Sequence, residues 1–336
     1  MSGAVRTWLA KLVPLLLIGG SCQAVSLSAP TTGTLIPGGP DSDQPRLMYA
    51  IPTLRDQFGR IVAAVMINDR GPFRFMLDTG SNRTVLAQSM LAKLGLAADP
   101  DASISVVGVA GSQIAASVHI DSLDAGAMHF RDVDLAVLSG PVLYGLDGIL
   151  GMEGFDGLKV SADFVRNLVS ISKSRGRPAA ARYAAIPVQF LSDRLLMIDA
   201  VVGRLHVKAI IDTGSQRTLA NGALLAALSG GRPNVPPTSP ANVIDATQSQ
   251  QPGLTGRVPA ILLGEATIQN LDVTFGDFQI FRTWGLENEP ALLIGMDALG
   301  TLAGLDIDYQ RREVDMLSRT QPHPLVQIMG LSLTNW

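Results

Sequence analysis

Asp78-Thr79-Gly80-Ser81-Asn82-Arg83-Thr84 returns as Asp212-Thr213-Gly214-Ser215-Gln216-Arg217-Thr218 with a single change among its seven positions. Each copy is entered through an apolar run, Phe75-Met76-Leu77 or Ala209-Ile210-Ile211. One Asp-Thr-Gly is weak evidence, because short motifs arise by chance. A second copy 134 positions later, inside a longer matched context, marks an internal duplication built around a carboxylate.

The repetition continues downstream. After the first motif come Asp147-Gly148-Ile149-Leu150-Gly151-Met152, Asp163-Phe164 and the strand-like Leu168-Val169-Ser170-Ile171. After the second come Ala291-Leu292-Leu293-Ile294-Gly295-Met296-Asp297, Asp306-Ile307-Asp308-Tyr309 and Val314-Asp315-Met316-Leu317. Over residues 47–318 these stretches resemble the retropepsin and pepsin clan of aspartic proteases, in the manner of bacterial exported retropepsin-like members. The resemblance implies an all-β chain of two similar lobes of the closed-barrel type, with the active site between them. Apolar-apolar-Gly, a short helix and a closing strand usually end one such unit. Retroviral members obtain two lobes by homodimerisation and pepsin-like members by duplication; here the duplication implies a monomer with an intrachain pseudo-dimer, the alternative being a dimer in which each lobe pairs with its copy in a second chain.

Composition agrees with a large domain or two moderate ones. Of 336 residues 47% are hydrophobic but only 5% aromatic, so the core must be built mostly of Val, Ile, Leu, Ala and Met. Residues 1–24 read as a signal peptide: Arg6 and Lys11 precede the apolar Leu12-Val13-Pro14-Leu15-Leu16-Leu17-Ile18, a run too short to span a bilayer, and small residues follow. Cleavage after Ala24 is preferred, and Gly19-Gly20-Ser21-Cys22 as an imperfect lipoprotein signal with a lipid anchor at Cys22 is the alternative. The destination is periplasmic or extracellular. Cys22 is the only cysteine, so the mature chain has no disulfide framework, thiol nucleophile or thiolate metal site. Loss of Arg6 and Lys11 takes the net charge from −3 to −5, an acidic balance without a basic patch for nucleic acid.

Composition also divides the chain. Residues 25–46, rich in Ser, Thr, Pro and Gly, read as a flexible linker with too little bulk for an inhibitory pro-segment. The N-terminal lobe covers residues 47–172, a basic small-residue connector 173–185, the C-terminal lobe 186–318, and 319–336 form a tail. In the first lobe Ile61–Asn68 and Phe73–Leu77 read as strands about a turn at Asp69–Pro72; in the second, Leu195–Val202 and Leu205–Ile211 flank Gly203-Arg204. Helical stretches follow each motif, at Ala87–Leu96 and Asn221–Leu228. Ile104–Ile114 then reads strand, glycines, strand, which makes Val107, Gly108, Val109, Ala110 and Gly111 the candidate flap over a substrate. Gly230–Gly256, rich in Pro, Ser, Gln and Asn, reads as a long loop with Ala241–Ile244 its only strand-like piece, either a second flap or an excursion.

Asp78 and Asp212 are the candidate catalytic residues. The resemblance implies that they lie side by side as the clan's paired carboxyls do, which cannot both ionise cheaply and so share a proton and supply both a base for water and an acid for a carbonyl oxygen. In the family the loop residues support that pair. Thr79 and Thr213 hydrogen-bond across the axis, Gly80 and Gly214 leave room for close approach, and the Ser81 and Ser215 hydroxyls donate to carboxylate oxygens. Asn82 and Gln216 stand where retroviral members carry an acid, and Met152 and Met296 where they carry an arginine; both partners of that ion pair are gone. Arg83 and Arg217 read either as substrate contacts or as surface loop caps. No pepsin-like flap tyrosine is present, since Tyr144 lies far beyond the first flap.

No Gly-x-Ser-x-Gly elbow occurs, and His119, His129, His206 and His323 lack metal-ligand spacing, so neither a serine hydrolase nor a metal site is implied. The reading is an aspartic endopeptidase acting on peptide or protein substrates, without cofactor. Its rival is a catalytically silent module of the same fold that binds a peptide or partner.

Overall fold

Two tight hairpins deliver the repeated motifs. Asn68 and Asp69, at φ 48° and 59°, turn the chain between Val62–Ile67 and Arg70–Leu77. Asn and Asp accept that left-handed backbone at low cost, and its twist suits a two-residue hairpin. The turn therefore falls at Asn68-Asp69, and Arg70 to Pro72 belong to the returning strand. In the second copy Gly203, at φ 63°, and Arg204 join Leu195–Val202 to Leu205–Ile211. The chain is seen in a computed structural model that describes residues 8–11, 60–140, 143, 145–191, 194–230 and 238–319. The signal-peptide reading, the linker 25–46, Cys22, Tyr144, His323 and all of the tail but Arg319 lie outside the described residues, apart from Trp8–Lys11, a strand parallel to Ile104–Val107.

Each incoming strand is locked from the side by its apolar-apolar-Gly segment. Gly148–Leu150 runs parallel to Phe75–Leu77, and Ala291–Ile294 parallel to Lys208–Ile211. Phe75, Met76, Leu77, Ile210 and Ile211 are wholly buried, each burial stabilising by roughly 1.5–3 kcal/mol. The helices after the motifs are short, Ser89–Leu94 ending at left-handed Gly95 and Gly222–Ser229 ending at left-handed Gly230. Asn221 caps the second, its Oδ1 accepting from the Leu224 N–H at 2.9 Å.

The chain is all-β and two-lobed. In the N-terminal lobe the 14-residue strand Ser112–Ala125 is long enough to pair with both Val62–Ile67 and Met128–Leu138. The ring returns through Arg70–Leu77, Gly148–Leu150 and Val85–Ala87, closing a six-stranded barrel. Among the described residues the C-terminal lobe stays open. Its strand Gln250–Arg257 ends after eight residues, and the sheet runs from Thr238–Ile244 to Ala266–Ile268 without joining its ends.

Two further segments differ from the sequence reading. Thr238–Ile244 and Gln250–Arg257 form a regular antiparallel hairpin, not a long loop, with Pro240 opposite Leu254 and Asn242 opposite Pro252. The closing short helix, Met296–Leu299, occurs only in the second copy; the first turns instead through Gly154 and Gly157, at φ 76° and 69°.

The lobes are joined by one sheet to which both contribute. Its order is Leu168–Lys173, Leu158–Asp163, Gly304–Asp308, Glu313–Leu317, Ala184–Pro187. The central pairing is antiparallel, with Ser161 opposite Asp306 and Val160 opposite Ile307. Lys159 binds Asp306 at 2.7 Å, and the Ser174 hydroxyl donates to Asp308 Oδ2 at 2.7 Å. The connector read as 173–185 thus ends inside this sheet, since Ala184 and Ala185 already pair with Met316 and Asp315.

Ile307 is buried at the centre of that seam, with Val160 on one side and Val314 on the other. Ile307→Ala should lower unfolding free energy by about 2–4 kcal/mol in urea denaturation. Val165→Ala, in the turn between Leu158–Asp163 and Leu168–Lys173 of the same sheet and 67% exposed, should change it by less than about 0.5 kcal/mol.

Candidate active site

Both motifs sit at the ends of buried strands, and each first residue is pinned by its neighbour. The Asp78 N–H donates to the Leu150 carbonyl at 3.1 Å and the Asp212 N–H to that of Ile294 at 3.0 Å. The loops then meet about the approximate twofold axis of the duplication. The Thr79 N–H donates to Thr213 Oγ1 at 3.1 Å and the Thr213 N–H to Thr79 Oγ1 at 3.0 Å. Each hydroxyl donates onward into the opposite lobe, Thr79 to the Ile211 carbonyl at 2.8 Å and Thr213 to that of Leu77 at 2.7 Å. Four buried hydrogen bonds thus tie the two carboxylate-bearing strands to each other. Valine at either threonine would fill the same space but leave an N–H and a carbonyl unpaired.

The carboxyls themselves face each other. Asp78 and Asp212 are completely buried, and their side chains lie within hydrogen-bonding reach. Asp78 Oδ1 accepts from the Gly80 N–H at 2.9 Å; Asp212 Oδ1 accepts from Gly214 and Ser215 at 2.8 and 3.0 Å. Oδ2 of each is buried with no protein donor. Burial pushes Asp78 up to about 7 against the lowering pull of its amide donors. Burial, and then the charge of Asp78, raise Asp212 well above the usual carboxylate range. The pair therefore holds a proton well above the pH at which free carboxyls lose theirs.

Glycine is required beneath the pair. A Cβ on Gly80 would lie 2.6 Å from Asp212 Cγ, and one on Gly214 would overlap the Asp78 carboxyl. The serines act differently from the family-based expectation. The Ser81 hydroxyl donates to the Arg83 carbonyl and the Ser215 hydroxyl to that of Arg217, both at 2.7 Å. Backbone amides already occupy the inner carboxylate oxygens, so each hydroxyl instead closes its own loop.

A second acid stands behind each loop. Glu153 Oε1 accepts from the Thr84 N–H at 2.6 Å, and Asp297 accepts from the Thr218 N–H and hydroxyl at 3.0 and 2.7 Å. The threonine hydroxyls in turn accept from the Gly151 and Gly295 amides, each at 3.2 Å. Burial raises Glu153 and Asp297, while the charges of Arg83 and Arg217 lower them. The two arginines thus help hold these acids ionised. Sequence carried the signal, because Gly-Met-Glu and Gly-Met-Asp occupy matching places in the two copies.

The candidate flap is a hairpin between Asp99–Val107 and Ser112–Ala125, with Val107 opposite Ser112. The Gly108 N–H closes the tip on the Gly111 carbonyl at 2.7 Å. Val109 is fully buried in an apolar cluster of the C-terminal lobe that includes Ile280, Phe281 and Trp284. His119 and His129 sit outside, beside Asp134 and Asp124 on the barrel surface.

The model of a family described as aspartyl protease matches residues 63–153 and 198–298, one match for each lobe and together more than half of the chain. No curated relative matches the chain.

The geometry has two measurable consequences. Gly214→Ala must force the carboxyls apart, so the charge of Asp78 weighs less on Asp212, and the raised pKa of Asp212, followed by carboxyl infrared or carbon NMR titration, should fall while burial keeps it above the ordinary value of about 3.9. For stability, the folded pair binds a proton between about pH 4 and 7 that the unfolded chain has released. Its contribution is therefore complete below about pH 4 and is lost as pH rises through about 7. Wild type should melt at lower temperature at pH 7.5 than at pH 4.5, and Asp78→Asn should lessen that difference. A remainder should persist in the variant, because burial and Glu313 push Asp315 up to about 6.

Proposed function

Because the chain belongs to the aspartyl protease family, we propose that it is an aspartic endopeptidase that hydrolyses peptide bonds with Asp78 and Asp212. The observation that supports this best is the buried pair itself, two carboxyls in contact and held by reciprocal threonine hydrogen bonds. A binding module would gain nothing from burying two like charges at one point, which costs stability unless they share a proton.

The proposed chemistry follows from the shared proton. The ionised member of the pair takes a proton from a water held between the free Oδ2 atoms, and that water attacks the carbonyl carbon. The protonated member gives its proton to the carbonyl oxygen, forming a tetrahedral diol. The carboxyl that took the water's proton then gives it to the nitrogen while the other carboxylate takes a proton from a diol hydroxyl, so the C–N bond breaks, a new carboxyl group forms and the pair returns to its singly protonated state. The backbone donors on Oδ1 keep both carboxyls oriented throughout. The substrate would lie extended beneath the flaps, adding main-chain hydrogen bonds as a strand does. The two lobes share a sheet within one chain, which supports a monomer as the active form. Export to a periplasmic or extracellular space, with cleavage after Ala24 or lipid attachment at Cys22, belongs to the same proposal and rests on the composition of residues 1–24.

An unbiased peptide library incubated at mildly acid pH and read by mass spectrometry is the test. Wild type should cut within peptides, and Asp78→Asn and Asp212→Asn should each reduce cutting at least about a thousandfold, because either substitution removes the base–acid pair. A library left intact by wild type at every pH from 3 to 8 would favour the silent binding module.

A further inference from the structure

Asp245 lies at the tip of the second hairpin and is completely buried, although nothing in the repeat marks it. One of its oxygens, Oδ1, organises its own turn, accepting from the Thr247 N–H and hydroxyl at 2.8 and 2.7 Å and from the Ser249 N–H at 3.1 Å. The other reaches across to the opposite lobe. Oδ2 accepts from the Ala110 and Gly111 N–H groups, at 2.7 and 3.1 Å, at the tip of the first flap. A carboxylate with five donors, two of them from the other flap, is a strong and directional clamp.

The neighbouring contacts point the same way. The Ile280 N–H donates to the Val109 carbonyl at 3.2 Å, and the Val109 side chain fills the apolar cluster of the C-terminal lobe. Gln248 Nε2 donates to the Ser139 carbonyl at 3.0 Å, a reciprocal reach of the second tip into the N-terminal lobe. Gly108 and Gly111 are glycines for a steric reason, since a Cβ on either would overlap Asp245 Oδ2 or Ser249 Oγ respectively. With the two tips joined, the catalytic candidates have no exposed surface.

We propose that Asp245 is the latch of a two-flap gate: it holds the first flap shut over the paired aspartates, and a peptide chain enters only when the Ala110 and Gly111 amides leave its carboxylate. Asp245 is a positioning residue that touches neither dyad nor reacting atoms. The latch is asymmetric, with acceptor on one flap and donors on the other, so release frees the first tip while the second keeps its turn through Oδ1. The functional half of this proposal rests on the endopeptidase reading; the clamp itself does not.

Two substitutions break the contact from opposite sides. Asp245→Asn can keep an oxygen on its own turn but presents an N–H₂ group to the donors of Ala110 and Gly111. Gly108→Ala leaves Asp245 intact and pushes the tip away from it. Amide hydrogen exchange at Ala110 and Gly111 should quicken about tenfold or more in both variants, with the barrel strands unchanged. Association of a peptide carrying a non-hydrolysable hydroxyl isostere at the scissile position, followed by stopped flow, should quicken several-fold in both. Unchanged exchange in both variants overturns the clamp, and faster exchange with unchanged association overturns the gate. An isostere that binds no form of the protein, together with an uncut library, sinks the endopeptidase reading and the gate with it, while faster exchange would still establish the clamp.

Discussion

Two carboxyls are buried against one another in this protein, and that arrangement constrains nearly everything around it. A single buried carboxylate is costly, and two adjacent ones cannot both be charged, so they must share a proton and be held firmly enough to go on sharing it. The chain meets this with backbone rather than cations. Amides of Gly80, Gly214 and Ser215 satisfy the inner oxygens, and Arg83 and Arg217 lie outside, associated with Glu153 and Asp297. A lysine or arginine beside the pair would stabilise the doubly ionised state and abolish the acid. Neutral donors orient the carboxyls without deciding which of them is protonated.

Such a site places demands on how accurately the lobes are joined. The reciprocal threonine bonds fix the strands carrying Asp78 and Asp212 relative to one another, and the shared sheet joins the lobes through other strands, Leu158–Asp163 and Gly304–Asp308. With two separate ties, neither lobe can shift without straining one of them. The two hairpin tips form a third tie. It is made by a few hydrogen bonds at the turns and, among the described residues, has no backbone ladder between the lobes, so it can open without unfolding either barrel or sheet.

How much of this was legible in the sequence follows from what kind of interaction wrote each part. Local, repeated chemistry was readable: the duplicated motif, the hairpins entering it, the Gly148 and Ala291 strands beside them, and the first flap all carry apolar runs and glycines in register. The hairpin at Thr238–Arg257 was not. Its Pro240, Pro252 and Gly253 weaken every local strand signal, and it is held by pairing with Asp272–Phe275 and by the Asp245 turn, contacts that no window of sequence contains. The serine roles failed for a related reason. A hydroxyl two residues from a carboxylate can reach either it or the Arg83 carbonyl, and only the position of the Gly80 amide decides between them. Glu153 and Asp297 were readable in principle, since the repeat continues through them, but their Thr84 and Thr218 partners lie 69 and 79 residues away.

The contrast between the floor of the site and its roof has a physical origin. At the floor both loops perform one task about one axis, so any change in Asp-Thr-Gly-Ser on one side would leave its partner unmatched, and the copies stay alike. At the roof the two flaps need only meet. In a twofold-symmetric homodimer the two tips are identical, so every contact one tip makes the other must make in return. A single chain removes that restriction. The first tip can then be glycine-rich and donate its amides while the second supplies the Asp245 acceptor, a one-sided division of roles that identical tips would have to duplicate. The strands that leave the two tips differ as well: Gln250–Arg257 has eight residues against the 14 of Ser112–Ala125, so among the described residues the C-terminal lobe has no strand of equal reach to bridge its sheet into a ring.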